Sequence, residues 1–137
     1  MRYLLDTCVI AAIQRRQRGF EHIVARLETA KRGTLYLSAM TALELWYGAA
    51  GSRTERQARK TLEALGQIVR IAPLESRTAR RAFDIHLSLI RAGRSIGKED
   101  ALIAAHALDL GAVCVSQNVR HFDRVPGLVV ENWLKPV

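Results

Sequence analysis

The stretch Ile96-Gly-Lys-Glu-Asp-Ala-Leu-Ile-Ala-Ala-His-Ala-Leu108 constrains this chain more than any other, because it is apolar on nearly every face of a helix yet carries an aspartate in its first turn. Alanine, leucine and isoleucine dominate after Asp100, which favours helix and leaves little face for water. Gly97 reads as the turn that leads into it. Such a helix is buried. Carboxylates resist burial unless they are paired, hydrogen-bonded or bound to a cation, so Asp100 is a candidate functional residue. Complementing the positive N-terminal end of the helix is the alternative account of the same acid.

The rest of the chain alternates short apolar runs with helical patterns. Arg2-Tyr-Leu-Leu5 reads as a strand ending at Asp6-Thr7, and Cys8-Val-Ile-Ala-Ala-Ile13 as the helix it feeds. Asp6 then stands at the carboxyl end of a strand, the edge where open α/β sheets bind ligands, or serves as a cap or turn acid. Thr7 can cap the following helix or hold the turn. Gln14 to Gly19 is a polar, basic connection. Phe20, Ile23, Val24 and Leu27 recur at helical spacing, predicting a helix over 20–32 stopped by Gly33. Thr34 to Ser38 reads as a second strand, and Ala39 to Ala50 as an apolar helix that carries Glu44 beside Leu45, Trp46 and Tyr47. A glutamate on a helix ordinarily faces solvent, and the two aromatics read as core or as a partner groove. Arg53, Arg56 and Lys60 share one face of the next helix, which runs to Leu65. Ile68 to Leu74 is a strand-like run halted by Pro73, and Ser76 to Ala92 a long helix bearing Arg77, Arg80, Arg81 and Arg91. Ala112 to Gln117 is a continuously apolar run typical of a buried parallel strand, placing Ser116 and Asn118 on the same side as Asp6. Leu128 to Glu131 is a last, edge-like strand, with Trp133 anchoring the tail. This alternation predicts a single domain over residues 1–137: an α/β sandwich of three layers with a mainly parallel central sheet.

With 137 residues, 49% of them hydrophobic, one core suffices. The net charge of +8 points to a polyanionic partner, nucleic acid first, through an attraction that is sequence-independent by itself. No segment is long enough to span a membrane. Met1 to Leu5 meets Asp6 before any signal-like apolar region develops, and the two cysteines lie far apart, so a reducing cytoplasm is the expected compartment. Cys8 and Cys114 have no Cys or His neighbour at zinc spacing, and Cys8 reads as packing. His22, His86, His106 and His121 are scattered.

Asp6, Glu44 and Asp100 fall where one end of such a sheet can gather them. Clustered carboxylates repel one another unless a cation sits between them, and magnesium or manganese are hard, oxygen-seeking ions suited to it. In a basic protein that site predicts phosphodiester chemistry, with the metal activating water and neutralising charge on the phosphate.

At these residues the sequence resembles the PIN-domain ribonucleases, and within them the VapC-type toxins of bacterial toxin–antitoxin pairs. Leu4-Leu-Asp-Thr-Cys-Val-Ile10 is similar to the family's opening motif, Leu37-Ser-Ala-Met-Thr-Ala-Leu-Glu-Leu-Trp-Tyr-Gly48 to its second, and the stretch from Ile96 to its third. Ser116-Gln-Asn-Val-Arg-His-Phe122 and Gly127 to Trp133 resemble its closing segment. The resemblance implies an endoribonuclease in which Asp6, Glu44 and Asp100 bind Mg2+ or Mn2+, supported by Thr7, Ser116 and Asn118. It also implies a cognate antitoxin protein as partner, an RNA substrate and a homodimer. Arg53, Arg56 and Lys60 are candidate phosphate contacts. Where many relatives carry a fourth acid in the closing segment, this chain has Asn118 and His121. A PIN-domain subunit of weak or absent catalysis, binding nucleic acid or co-repressing with a DNA-binding partner, is the alternative. An aspartyl-phosphate phosphatase is set aside, because that chemistry needs a second aspartate two positions after the first and Cys8 stands there.

Overall fold

The structure, a computed structural model, describes residues 1–136. Strand β1 (Arg2–Leu5) is followed at once by α1 (Thr7–Gln14), then α2 (Phe20–Thr29), β2 (Leu35–Ser38), α3 (Ala39–Ala50) and α4 (Glu55–Gly66). The second half holds β3 (Arg70–Ala72), α5 (Ser76–Arg91), α6 (Lys98–Leu110), β4 (Ala112–Val115), the single turn α7 (Val119–Phe122) and β5 (Val130–Glu131).

All five strands are parallel and lie in the order β3-β2-β1-β4-β5. The chain steps outward from β1 to β3, then returns to lay β4 on the other side of β1, with Leu5 paired to Val115. Loops that leave two adjacent strands in opposite directions open a crevice at their carboxyl ends, and ligands of open α/β sheets bind in that crevice. Asp6 and Ser116, each one residue beyond these strands, stand at its rim.

Period-two alternation divides the strands between two cores. Leu5, Leu35, Leu37 and Val115 pack with Val9, Ile10, Ile23, Leu27 and Leu65 from α1, α2 and α4. Leu4, Ala112 and Cys114 pack on the opposite face with Leu89 of α5, Ala101, Ile103, Ala104 and Ala107 of α6, and Phe122. The result is the expected three-layer α/β/α sandwich. Helix α6 is buried as its composition predicts, against β1 and β4 on one side and α5 on the other. Its Ala104, Ala105 and Ala107 are each 0% exposed, and the small side chains permit that double contact.

Local boundaries differ from the sequence reading where a turn intervenes. Helix α2 stops at Thr29, whose hydroxyl donates back to the carbonyl of Ala25, and Gly33 serves a separate tight turn at φ 82°. The third strand keeps only Arg70–Ala72 of the 68–74 run, the residues that find partners on β2. The third-motif helix extends to Leu110 and is closed by Gly111 in the left-handed region at φ 62°. Trp46 and Tyr47 are 56% and 73% exposed, so they are not core residues. No helix among the described residues is long and apolar enough to cross a membrane.

Candidate functional site

Asp6 and Asp100 are each positioned where a strand or turn meets a helix, and Glu44 projects from the middle of α3. Asp6 is the N-cap of α1: its backbone leaves β1 extended (φ −73°, ψ 155°), and its Oδ1 accepts the Thr7 amide at 2.8 Å. Its Oδ2 accepts from the Ser116 hydroxyl at 2.9 Å across the β1–β4 junction. Cys8 Sγ lies 3.5 Å from the same oxygen. Cap and site are therefore the same residue, so the two accounts of Asp6 open from sequence are compatible. Ser116 is fully buried, and its Oγ also accepts the Asn118 amide at 2.9 Å, which ties β4 to the loop beyond it.

Asp100 sits in the first turn of α6, and its Oδ2 is gripped from the closing segment. Asn118 Nδ2 donates to it at 3.0 Å, and His121 Nδ1 lies 2.8 Å from it. Asn118 Nδ2 and His121 Nδ1 are themselves 2.8 Å apart. No hydrogen bond to Oδ1 is made among the described residues. The pair standing where a fourth acid was sought thus holds Asp100 from one side and leaves its other oxygen available.

Asp6, Glu44, Glu99 and Asp100 line one cleft of about 550 Å3, together with Thr7, Cys8, Gln117 and Asn118 and a floor of Met40, Leu102 and Ile103. Burial raises the Asp6 carboxyl above its ordinary pKa, Asp100 adds repulsion, and the Ser116 and Thr7 donors work against both. Glu44 is exposed as a residue, yet partial burial at the cleft wall, then the charges of Glu99 and Asp6, raise its carboxyl too. Neighbouring carboxylates thus raise the pKa of both Asp6 and Glu44, an effect that a cation between them would offset. Their hard oxygens suit Mg2+ or Mn2+, so the donor set fits such an ion. No three Asp, Glu, His or Cys side chains among the described residues stand close enough to enclose one. Asp6 and Asp100 are held by hydrogen bonds, whereas Glu44 and Glu99 are exposed and make no side-chain hydrogen bond among the described residues.

Sequence reasoning brought Asp6, Thr7, Glu44, Asp100 and Asn118 to this cleft, with Ser116 directly behind it. Glu99 was missed. Its one signal in the sequence is its place beside Asp100 in the first turn of the helix. Cys8, read as packing, is half-buried in the cleft wall, where burial first and Asp6 second raise its thiol pKa and keep it neutral. Arg53, Arg56 and Lys60 are exposed, and none of the three lines the cleft. Arg53 lies before α4 begins, so only Arg56 and Lys60 are helical.

Residues 3–128 match the PIN domain family. Ribonuclease VapC2 of Rickettsia felis is 30% identical over 136 residues, covering 98% of this chain and all of that protein. The tRNA(fMet)-specific endonuclease VapC of Salmonella typhimurium is 31% identical over 136 residues, covering 97% of this chain and 98% of that one. The solved structure of DNA-bound VapBC from Salmonella typhimurium superposes with a TM-score of 0.82 at 30% identity, over 97% of this chain and 98% of that chain. A parallel sheet reversing at β1 and β4, acids gathered at that reversal and full-length likeness to these proteins agree: the chain belongs to the PIN-domain family, among its VapC ribonucleases.

Proposed function

We propose that this protein is a Mg2+- or Mn2+-dependent endoribonuclease, the toxin of a toxin–antitoxin pair. The observation that carries the reading is the convergence of four carboxylates on one cleft, at the sheet's point of reversal, in a chain of net charge +8. A protein repelling its own site's acids while attracting polyanions is suited to a cation-assisted reaction on phosphodiesters.

Asp6, Asp100 and Glu44 would hold the ion, with Glu99 as a fourth carboxylate in place of an acid in the closing segment. The ion supplies Lewis acidity, a water of lowered pKa and neutralisation of the charge that builds on the phosphate. Thr7 and Ser116 fix the rotamer of Asp6, and Asn118 and His121 fix that of Asp100, so both carboxylates would meet the ion without reorganising. Hydrolysis by water leaves the ribose 2′-hydroxyl out of the reaction and yields a 5′-phosphate and a 3′-hydroxyl. Arg53, Arg56 and Lys60 would draw RNA by charge from outside the cleft.

The partner is a cognate antitoxin, in line with the VapBC complex to which the fold is similar. Association as a homodimer and a place in the cytoplasm complete the proposal. A PIN subunit that binds RNA without cutting it is favoured by one observation, that Asn118 and His121 stand in the closing segment where many relatives carry a fourth acid. One experiment separates the two readings. Purified protein is titrated with Mg2+ and Mn2+ against RNA. Cleavage is expected in the millimolar range and should drop at least about 100-fold in Asp6→Asn and Asp100→Asn. Intact RNA at every metal concentration, with binding retained, would establish the non-cutting subunit.

A further inference from the structure

A second groove, of about 330 Å3, lies between α1, α3 and α4 beside the carboxylate cleft and shares Thr7 and Glu44 with it as lining. We propose that this groove receives a nucleotide flanking the scissile phosphate of a single-stranded RNA and reads its base; the proposal rests on the ribonuclease reading above.

The lining has the chemistry for that ligand. Apart from the shared Glu44 it carries no acid, and Arg15 supplies a cation at its edge. Gln14 of α1 and Gln57 of α4 line it, and their side-chain amides make no hydrogen bond among the described residues. Each amide presents one acceptor and two donors, which suits the edge of an unpaired base. The volume lies at the small end of ligand pockets, enough for one nucleotide and too little for a duplex.

Gly48 adds an independent observation. It sits in the third turn of α3, where glycine is the weakest helix former after proline, and it lines this groove. A Cβ built on it meets nothing within 4 Å, so no neighbouring atom demands the glycine. The missing side chain leaves open space at a position that lines the groove.

The test is cleavage of a random-sequence single-stranded RNA pool in Mn2+ by the full chain, followed by sequencing of the new ends. Wild type is expected to prefer particular bases at one position beside the cut. Gln57→Ala and Gly48→Leu are expected to flatten that preference and to raise KM on the preferred RNA about tenfold. Mn2+ affinity by calorimetry should stay at the wild-type value, and Gly48→Leu should melt no lower than wild type. Both positions are open to solvent or space, and Gln57→Ala keeps the test valid should the larger side chain disturb α3. A wild-type profile flat at every flanking position overturns the proposal, as does an unchanged profile and KM in both variants. A fall in Mn2+ affinity alongside KM also overturns it, by moving the effect to the carboxylates. Loss of inhibition by the antitoxin with an unchanged RNA profile overturns it in favour of a protein segment. Failure of the wild type to cleave any RNA refutes the ribonuclease reading, whereas cleavage that ignores the groove refutes the groove alone.

Discussion

Asp6 and Asp100 are each held by donors on other segments, and those donors make a backbone junction into a candidate ligand. Ser116 is the most telling of them, because its hydroxyl reaches Asp6 from the end of the neighbouring strand and is fully buried. Ser116→Ala removes that donor, leaves the Asp6 oxygen less stabilised as an anion and frees its rotamer. Mn2+ affinity is expected to fall about 10-fold to 100-fold by calorimetry, the usual penalty for deleting a group that orients a ligand. Unchanged affinity would mean that the Thr7 amide alone holds Asp6. The acids were legible one by one as anomalies of position: Asp6 after a strand, Asp100 heading a buried helix. Glu99 was not, because an acid in an exposed first turn already has a sufficient electrostatic explanation.

Helix α6 is the element on which the site depends, since it carries Asp100 and Glu99 and packs on two sides. Alanines make that packing possible and leave no spare volume. Ala104→Leu adds three carbons at a position that is 0% exposed, and is expected to cost about 1–3 kcal/mol, measured by urea unfolding. An unaltered midpoint would show a void beside α6. The same helix buries His106, 2% exposed, with its Nδ1 unpartnered. Burial lowers its pKa below the ordinary value of 6.5, against the opposing pull of Asp109. Between the folded and unfolded pKa values the unfolded chain binds the extra proton. The stability that neutral His106 supports is therefore complete above pH 6.5 and is lost as pH falls through the folded-state pKa. Thermal melts from pH 7.5 to 5 should show this decline in wild type and a flatter profile in His106→Gln. Parallel profiles would place the acid sensitivity elsewhere.

Across the whole molecule, a net charge of +8 coexists with a cleft walled by acids. The two facts are consistent if the basic surface delivers a polyanion to a cation held by the acids. Binding of RNA by an Asp6→Asn protein should then weaken with salt, the logarithm of affinity falling by roughly 0.7 per phosphate contact for each unit of log salt. Replacing Arg53, Arg56 and Lys60 together by alanine should reduce that slope by about 2 if all three touch phosphate. An identical slope would exclude them and shift attention to basic residues nearer the cleft.

What the sequence determined by itself is the layering. Apolar runs of strand length alternate with helices of 3.6-residue period, and an alanine-rich helix with no polar face can only be buried, so a parallel sheet between helical layers follows. The order of motifs also carries the family resemblance, because it is written in consecutive residues. Tertiary structure alone decided which groups meet. Asp6 and Ser116 are 110 positions apart, and Asp100 and His121 are 21 apart, yet each pair closes to hydrogen-bond distance. Those approaches depend on β4 returning to the side of β1, a choice of strand order that no local periodicity encodes. The same holds for the groove at Gly48, whose opening depends on how α1 and α4 flank α3.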